Sequence, residues 1–241
     1  MTSPDRPHAR VERHGRRGEL VLDREDRTNA MGLRMIRELT AGLRELLADD
    51  NIGAIVVRGE GDVLCIGMDL DSLKAEEETP GEVMEARIDL HAELLDSHKP
   101  IVAALCGPAY GGAAALALSC DFLIAAEDAQ INLPEVRLSM VAWMNAAVIT
   151  RRFGSSQALT LALSARDHSA DDLLRLKMAT AVFPRDEVVE AARARADELA
   201  SHDPQSLAAT KRLVHELAGF ESAADALRKA AALAAVERTV R

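Results

Sequence analysis

Aromatic side chains are nearly absent from this sequence: one Trp, one Tyr and four Phe make up 2% of 241 residues. A hydrophobic content of 48% must therefore come from Ala, Leu, Val and Ile, and small side chains imply closely packed helices. Cysteine is also scarce. Cys65, Cys106 and Cys120 have no CxxC spacing and no paired His neighbours, which excludes a disulfide framework and a zinc ribbon and leaves reduced core cysteines. Excess positive charge is lacking, since 29 Lys and Arg face 39 Asp and Glu for a net charge of -10. Binding to nucleic acid or to an anionic membrane relies on clustered Lys and Arg, so neither is expected as a partner. No apolar stretch is long enough to span a bilayer, and the polar N-terminus has no apolar signal core. A cytoplasmic location is the expectation. Asp, Glu and His residues are scattered without ligand spacing, so no metal is expected.

What is present centres on residues 99–135, KPIVAALCGPAYGGAAALALSCDFLIAAEDAQINLPE. Ile101 to Leu105 is an apolar run bounded by Pro100 and Gly107, which suits a strand covered on both faces. Gly111-Gly112 then opens an Ala/Leu helix with almost no polar surface, which must be buried. Glycines at that start let backbone approach a ligand, and the first-turn N–H groups have no partner inside the helix. Such donors hold an anion or a developing oxyanion; close helix packing is the alternative use of the same glycines.

Before this stretch, residues 10–22 predict two strands around a Gly15–Gly18 turn. Asn29 is placed to cap a helix whose apolar face carries Leu33, Ile36, Leu39 and Leu43. Ile52–Val57 and Val63–Ile66 read as extended segments, and the latter leads into Gly67-Met68-Asp69-Leu70. Residues 71–82 are charged and form the expected mobile surface segment, followed by an amphipathic helix over 83–96. Beyond residue 140 the pattern is helical almost throughout, which puts the sheet in the first 130 residues. Alternating strands and helices favour parallel βαβ units, with the loops after Leu22, Ile66 and Leu105 on one edge of the sheet.

With those loops in place, the chain resembles the crotonase superfamily, the enoyl-CoA hydratase/isomerase family, over residues 10–165. The resemblance is carried by Asp23-Arg24, Thr28-Asn29-Ala30, Gly67-Met68-Asp69-Leu70 and the ordered series Lys99-Pro100, Ala103-Ala104, Gly107, Gly111-Gly112, Cys120-Asp121, Ala125, Glu127-Asp128-Ala129 and Pro134-Glu135. It implies an α/β fold, a crotonase-like spiral of ββα units, with an acyl-CoA-binding core over 1–185. A helical C-terminal trimerisation region over 186–241 follows, with assembly as a homotrimer or dimer of trimers. It also implies an acyl-CoA thioester substrate and no separate cofactor, coenzyme A being part of the substrate. The oxyanion hole falls to the N–H groups of Met68 and Gly112, and Glu135 becomes the acid/base. Arg24, Arg27, Gly67, Asp69 and Gly111 fall on the CoA side, and Lys211 and Arg212 lie on a late helix within possible reach of a CoA phosphate.

Two departures from the family pattern bear on the reaction. The first of the two carboxylates usual in a hydratase matches Ala115, which leaves Glu135 in an apolar pocket with no second carboxylate. The segment Leu138 to Trp143 replaces a glycine- and proline-containing one and puts Trp143 near the acyl pocket or in the core. A 1,3-proton shift needs one carboxylate, whereas hydration needs water oriented as well. The expected activity is therefore isomerisation of 3-enoyl-CoA to 2-enoyl-CoA. A hydratase working with Glu135 alone or with a partner from residues 71–98 is the alternative within the class, and a non-catalytic acyl-CoA-binding or assembly protein is the alternative outside it. His91 and His98 are expected at the surface or as caps, and Cys65 as inert core.

Overall fold

A computed structural model of the chain describes residues 6–74, 79–219 and 222–239. It opens on an antiparallel hairpin, β1 (Ala9–His14) and β2 (Arg17–Leu22), closed by Gly15 at φ +61°. Helix α1 (Leu33–Ala48) leads to β3 (Ala54–Gly59), and α2 (Leu70–Lys74) and α3 (Pro80–Leu95) lead to β4 (Ile101–Leu105). The 37-residue central stretch then gives β5 (Pro108–Tyr110), α4 (Gly112–Ser119), β6 (Phe122–Ala126) and β7 (Gln130–Asn132). After it come α5 (Trp143–Phe153), α6 (Ser155–Ser164), β8 (His168–Ser169), α7 (Ala170–Arg175), β9 (Ala181–Phe183), α8 (Val188–Ala200), α9 (Pro204–Leu217) and α10 (Ala223–Thr239).

The main sheet runs β1-β2-β3-β4-β6-β9, parallel from β2 onward, and a small sheet runs β5-β7-β8. All five residues of β4 are buried. Because successive side chains alternate between faces, full burial means that both faces are covered, as the apolar run predicts. Helix α8 lies across β2, β3, β4 and β6 and inserts Val188, Ala192, Ala196 and Ala200 into the core. Small residues permit this approach: a Cβ on Gly53 would meet the Ala200 backbone at 3.0 Å. Helix α4 is buried along its whole length, as its composition requires. Lys99 donates to the carbonyls of Leu46 and Asp49 at 2.9 and 2.7 Å, which caps α1 at its negative end.

The buried carboxylate of Glu19 ties β2 to β3 and α8. It accepts from Arg58 at 2.6 Å and from Arg193 at 2.8 and 3.0 Å. Burial opposes its ionisation, but the Arg193 and Arg58 guanidiniums outweigh that and hold its pKa down to about 2. A depressed carboxylate contributes stability that is present above its unfolded value and lost as pH falls through its folded one. The stability gap between wild type and Glu19→Gln is therefore expected to be about 3–5 kcal/mol at neutral pH. Urea titrations should show it closing as pH is lowered from about 4.5 toward 2, following the pKa cited above.

Several local expectations are corrected. Asn29 does not cap α1, whose N-cap is Gly32. It sits buried at φ +55°, accepts from the Arg24 N–H and donates to the carbonyls of Glu60 and Val63, so it pins two loops together. Val63–Ile66 forms no ladder; its extended chain is held instead by Leu64 N–H to Cys106 O and Ile66 N–H to Thr28 O. The sheets also extend beyond residue 130, because β8 and β9 return as edge strands. Within the charged segment 71–82 the chain is helical to Lys74 and again from Pro80, and residues 75–78 lie outside the described residues. No helix among the described residues is long and apolar enough to cross a membrane.

Candidate active site

Parallel strands β2, β3 and β4 end on one sheet edge, where the loops after Leu22, Ile66 and Leu105 meet as predicted. Met31 donates to Gly67 O at 2.8 Å and Asp69 donates to Met31 O at 2.9 Å, a single parallel bridge that flanks Met68. In this arrangement the bridge uses the groups on either side of Met68 and leaves its own N–H unused. The N–H of Gly112, first in α4, has no intrahelical acceptor either. The two residues lie against each other, since a Cβ on Gly112 would stand 3.2 Å from Met68 Sδ.

Gly111 makes this approach possible. Its backbone, at φ +49° and ψ −109°, lies in a region that side chains with a Cβ rarely adopt, and its N–H donates to Asn132 O at 2.9 Å. Gly111→Ala should cost about 1–3 kcal/mol of stability, read as a lowered urea midpoint, because the strain is intrinsic to the backbone. A Cβ there would also face Glu135 Oε1 at 3.5 Å, which locates the carboxylate over the start of α4.

Glu135 opens a short 3-10 helix, Glu135–Leu138, directly after Pro134. Its Oε1 accepts from Asn145 Nδ2 at 2.7 Å, while its Oε2 is buried without a hydrogen-bond partner. The fully buried Ala115 offers no second carboxylate. The expectation of an apolar surrounding is nevertheless wrong. Arg87, from α3, stands close enough to feel the Glu135 charge, with Nη2 3.6 Å from a Cβ on Gly112 and its guanidinium 5.6 Å from the Trp143 ring. Trp143 is half-buried, packed against the core with Arg87 over its ring, in keeping with the core-packing expectation.

Sequence reasoning passed over Arg87 and Asn145, though a signal existed. Arg87 falls between Val83 and His91 on the buried face of α3, and Asn145 falls between Met144 and Val148 on that of α5. A polar residue in an apolar stripe is the sign of a buried partner. His91, expected near the surface, is buried and its Nδ1 meets Ser119 Oγ at 2.9 Å. Burial, with Arg87 one turn away, pushes its pKa down to about 3, so it is neutral. His98 is exposed and all three cysteines are buried, with the Cys65 thiol pushed up to about 12 by burial.

On the CoA side, Arg24 donates to Asp69 at 2.6 Å and to Ala30 O at 3.1 Å, which latches the Arg24 loop to the Met68 loop. Burial opposes ionisation of Asp69, but hydrogen bonds from Arg24 and Ser72 prevail and hold its carboxyl below the usual range. Arg27 is exposed at the rim and pairs with Asp71 at 3.1 Å. Lys211 is taken up by Asp121 at 2.7 Å, whereas Arg212 is largely exposed. Away from this edge, Glu12, His14 and Glu19 bring ligand atoms within 4.8 Å of one another, closer than their scatter in the sequence implied. Arg10, Arg17, Arg58 and Arg193 already occupy those carboxylates.

A parallel sheet whose strand-end loops bring Met68, Gly112 and Glu135 together, followed by a helical C-terminal region, defines a protein of the crotonase fold. The family model for enoyl-CoA hydratase/isomerase matches residues 18–234, and the chain belongs to that family and is an enzyme of it. It is 32% identical over 192 residues to a probable enoyl-CoA hydratase of Rhizobium meliloti, covering 79% of this chain and 74% of that one. With a putative enoyl-CoA hydratase of Thermus thermophilus it shares 31% identity over 205 residues, 83% of this chain and 81% of the other. Among solved structures it resembles the carnitinyl-CoA hydratase of Mycobacterium avium, with TM-score 0.80 and 32% identity over 90% of this chain and 83% of that chain.

Proposed function

We propose that the enzyme acts on acyl-CoA thioesters, holding the thioester oxygen between the N–H groups of Met68 and Gly112 while Glu135 moves a proton. The supporting observation is that Met68 packs against Gly112 at the start of α4, whose N–H has no intrahelical acceptor, while Glu135 Oε1 stands 3.5 Å from the Gly111 Cβ position. Glu135 removes a proton from C2 of a 3-enoyl-CoA, and the electron pair moves to the thioester oxygen, where the two donors stabilise it. Return of the proton at C4 shifts the double bond from C3–C4 to C2–C3. One group serves both steps, so Ala115 is no obstacle, and isomerisation is favoured over hydration. Hydration is the second reading, supported by the hydratase names of the relatives and by Arg87, which adds a polar partner from residues 71–98.

Arg27 suits the CoA phosphates at the rim, while Arg24, Gly67, Asp69 and Gly111 shape the loops beneath it. Proton transfer is tested directly by incubating an acyl-CoA in D2O and following C2 by NMR. Exchange that wild type catalyses and Glu135→Gln does not is the expected outcome; equal exchange in both contradicts the assignment. The C-terminal helices support a trimer or dimer of trimers. Helix α9 buries none of its residues and exposes Leu213, Val214 and Leu217. Sedimentation at micromolar concentration should give three or six times the 26.0 kDa chain mass, and a monomer would defeat this assembly.

A further inference from the structure

Arg87 is not explained by proton transfer at Glu135 alone. Its Nε is buried without a hydrogen-bond partner, and no ion pair within 4.0 Å joins it to Glu135. Arg87 is half-buried, but its Nε is shut off from water and unpaired, which is costly for a guanidinium, and its planar fork matches a carboxylate. Among the described residues no salt bridge of 4.0 Å or less neutralises it: His91, one turn on, is uncharged and engaged with Ser119, and Trp143 offers only its ring face. Burial lowers the Arg87 pKa to about 10, with Glu135 opposing, which leaves the side chain charged at neutral pH. A residue kept only to balance Glu135 would form a direct hydrogen-bonded pair with it. Here, among the described residues, no hydrogen bond or salt bridge joins Arg87 to Glu135.

We infer that Arg87 receives an anionic group on the acyl chain, so that the preferred substrates are short dicarboxylyl-CoA thioesters. The inference rests on the reading that Gly112 holds the thioester oxygen. Arg87 Nη2 lies 3.6 Å from the Gly112 Cβ position, so an anion on Arg87 stands only a few bonds from the thioester carbon. That geometry selects a short chain. The free Glu135 Oε2 remains available for the proton between the two carbonyl ends.

Saturated probes separate binding from turnover. Calorimetric titration of the purified protein with butyryl-CoA against succinyl-CoA, and pentanoyl-CoA against glutaryl-CoA, compares chains of equal length with and without a second carboxylate. At least one dicarboxylyl ester is expected to bind about tenfold or more tightly than its neutral counterpart, the scale of one charge-assisted hydrogen bond. Arg87→Met should abolish that preference while keeping butyryl-CoA binding, and Arg87→Lys should retain part of it. Retained butyryl-CoA binding also shows that the Met variant is folded. Neutral esters that bind as tightly as their dicarboxylyl counterparts in wild type, or a preference that survives in Arg87→Met, overturn this inference alone. Absence of binding by all four esters overturns it together with the acyl-CoA reading.

Discussion

Glu135→Gln is expected to lower kcat by on the order of 10²–10⁴, the usual contribution of a positioned acid/base, and to leave acyl-CoA binding in place. The amide keeps the shape of the side chain and removes its basicity. Asn145 donates to Oε1 from 2.7 Å and can orient the amide oxygen as it orients the carboxylate, so the pocket should survive the change. The loss should fall on kcat rather than on KM, because the interaction removed belongs to the transition state. The buried Ala115 beside the start of α4 carries no group that could take over the proton. A Glu135→Gln protein with wild-type kcat would show that the carboxylate is a helix-start ornament, complementing the short 3-10 helix that follows Pro134.

Deleting one backbone donor should have an effect of similar size. Gly112→Pro removes the N–H at the start of α4, and a lost oxyanion donor costs on the order of 10²–10³ in rate. Proline also burdens the residue before it, and Gly111 already holds ψ −109°, so the fold must be verified by circular dichroism and by acyl-CoA binding. Gly112→Ala provides the comparison. It keeps the donor but sets a Cβ 3.2 Å from Met68 Sδ, a flexible side-chain atom that can give way, so its loss should be much smaller. Equal activity of a folded Gly112→Pro protein and wild type would remove Gly112 from the proposed oxyanion site.

The strands and helices that carry the site were legible where one local signal dominated. Ile101–Leu105 is uninterrupted apolar chain and is buried throughout, and Gly111-Gly112 before an all-apolar helix marks a close approach of backbone. Residues whose conformation depends on distant partners were not legible. Asn29 has the chemistry of a cap, yet its left-handed backbone and its bonds to Glu60 and Val63 make it a clasp between loops. Val63–Ile66 has the composition of a strand but finds no neighbour at ladder register, and the two- and three-residue strands β8 and β9 exist only because β7 and β6 receive them. Arg87 shows the limit most clearly. Its place in the stripe of α3 betrays burial, but only the folded chain brings it to Gly112, Trp143 and Glu135 together.

The central claim is that one carboxylate, Glu135, moves a proton between C2 and C4 of an acyl-CoA held by Met68 and Gly112. Its most direct measurement is a side-by-side assay of wild type with a 3-enoyl-CoA and a 2-enoyl-CoA of equal chain length, with neutral and carboxylate-bearing acyl groups both represented. Isomerisation of the 3-enoyl ester faster than hydration of the 2-enoyl ester is the predicted result. Hydration that outpaces isomerisation for every acyl group would contradict the single-carboxylate account.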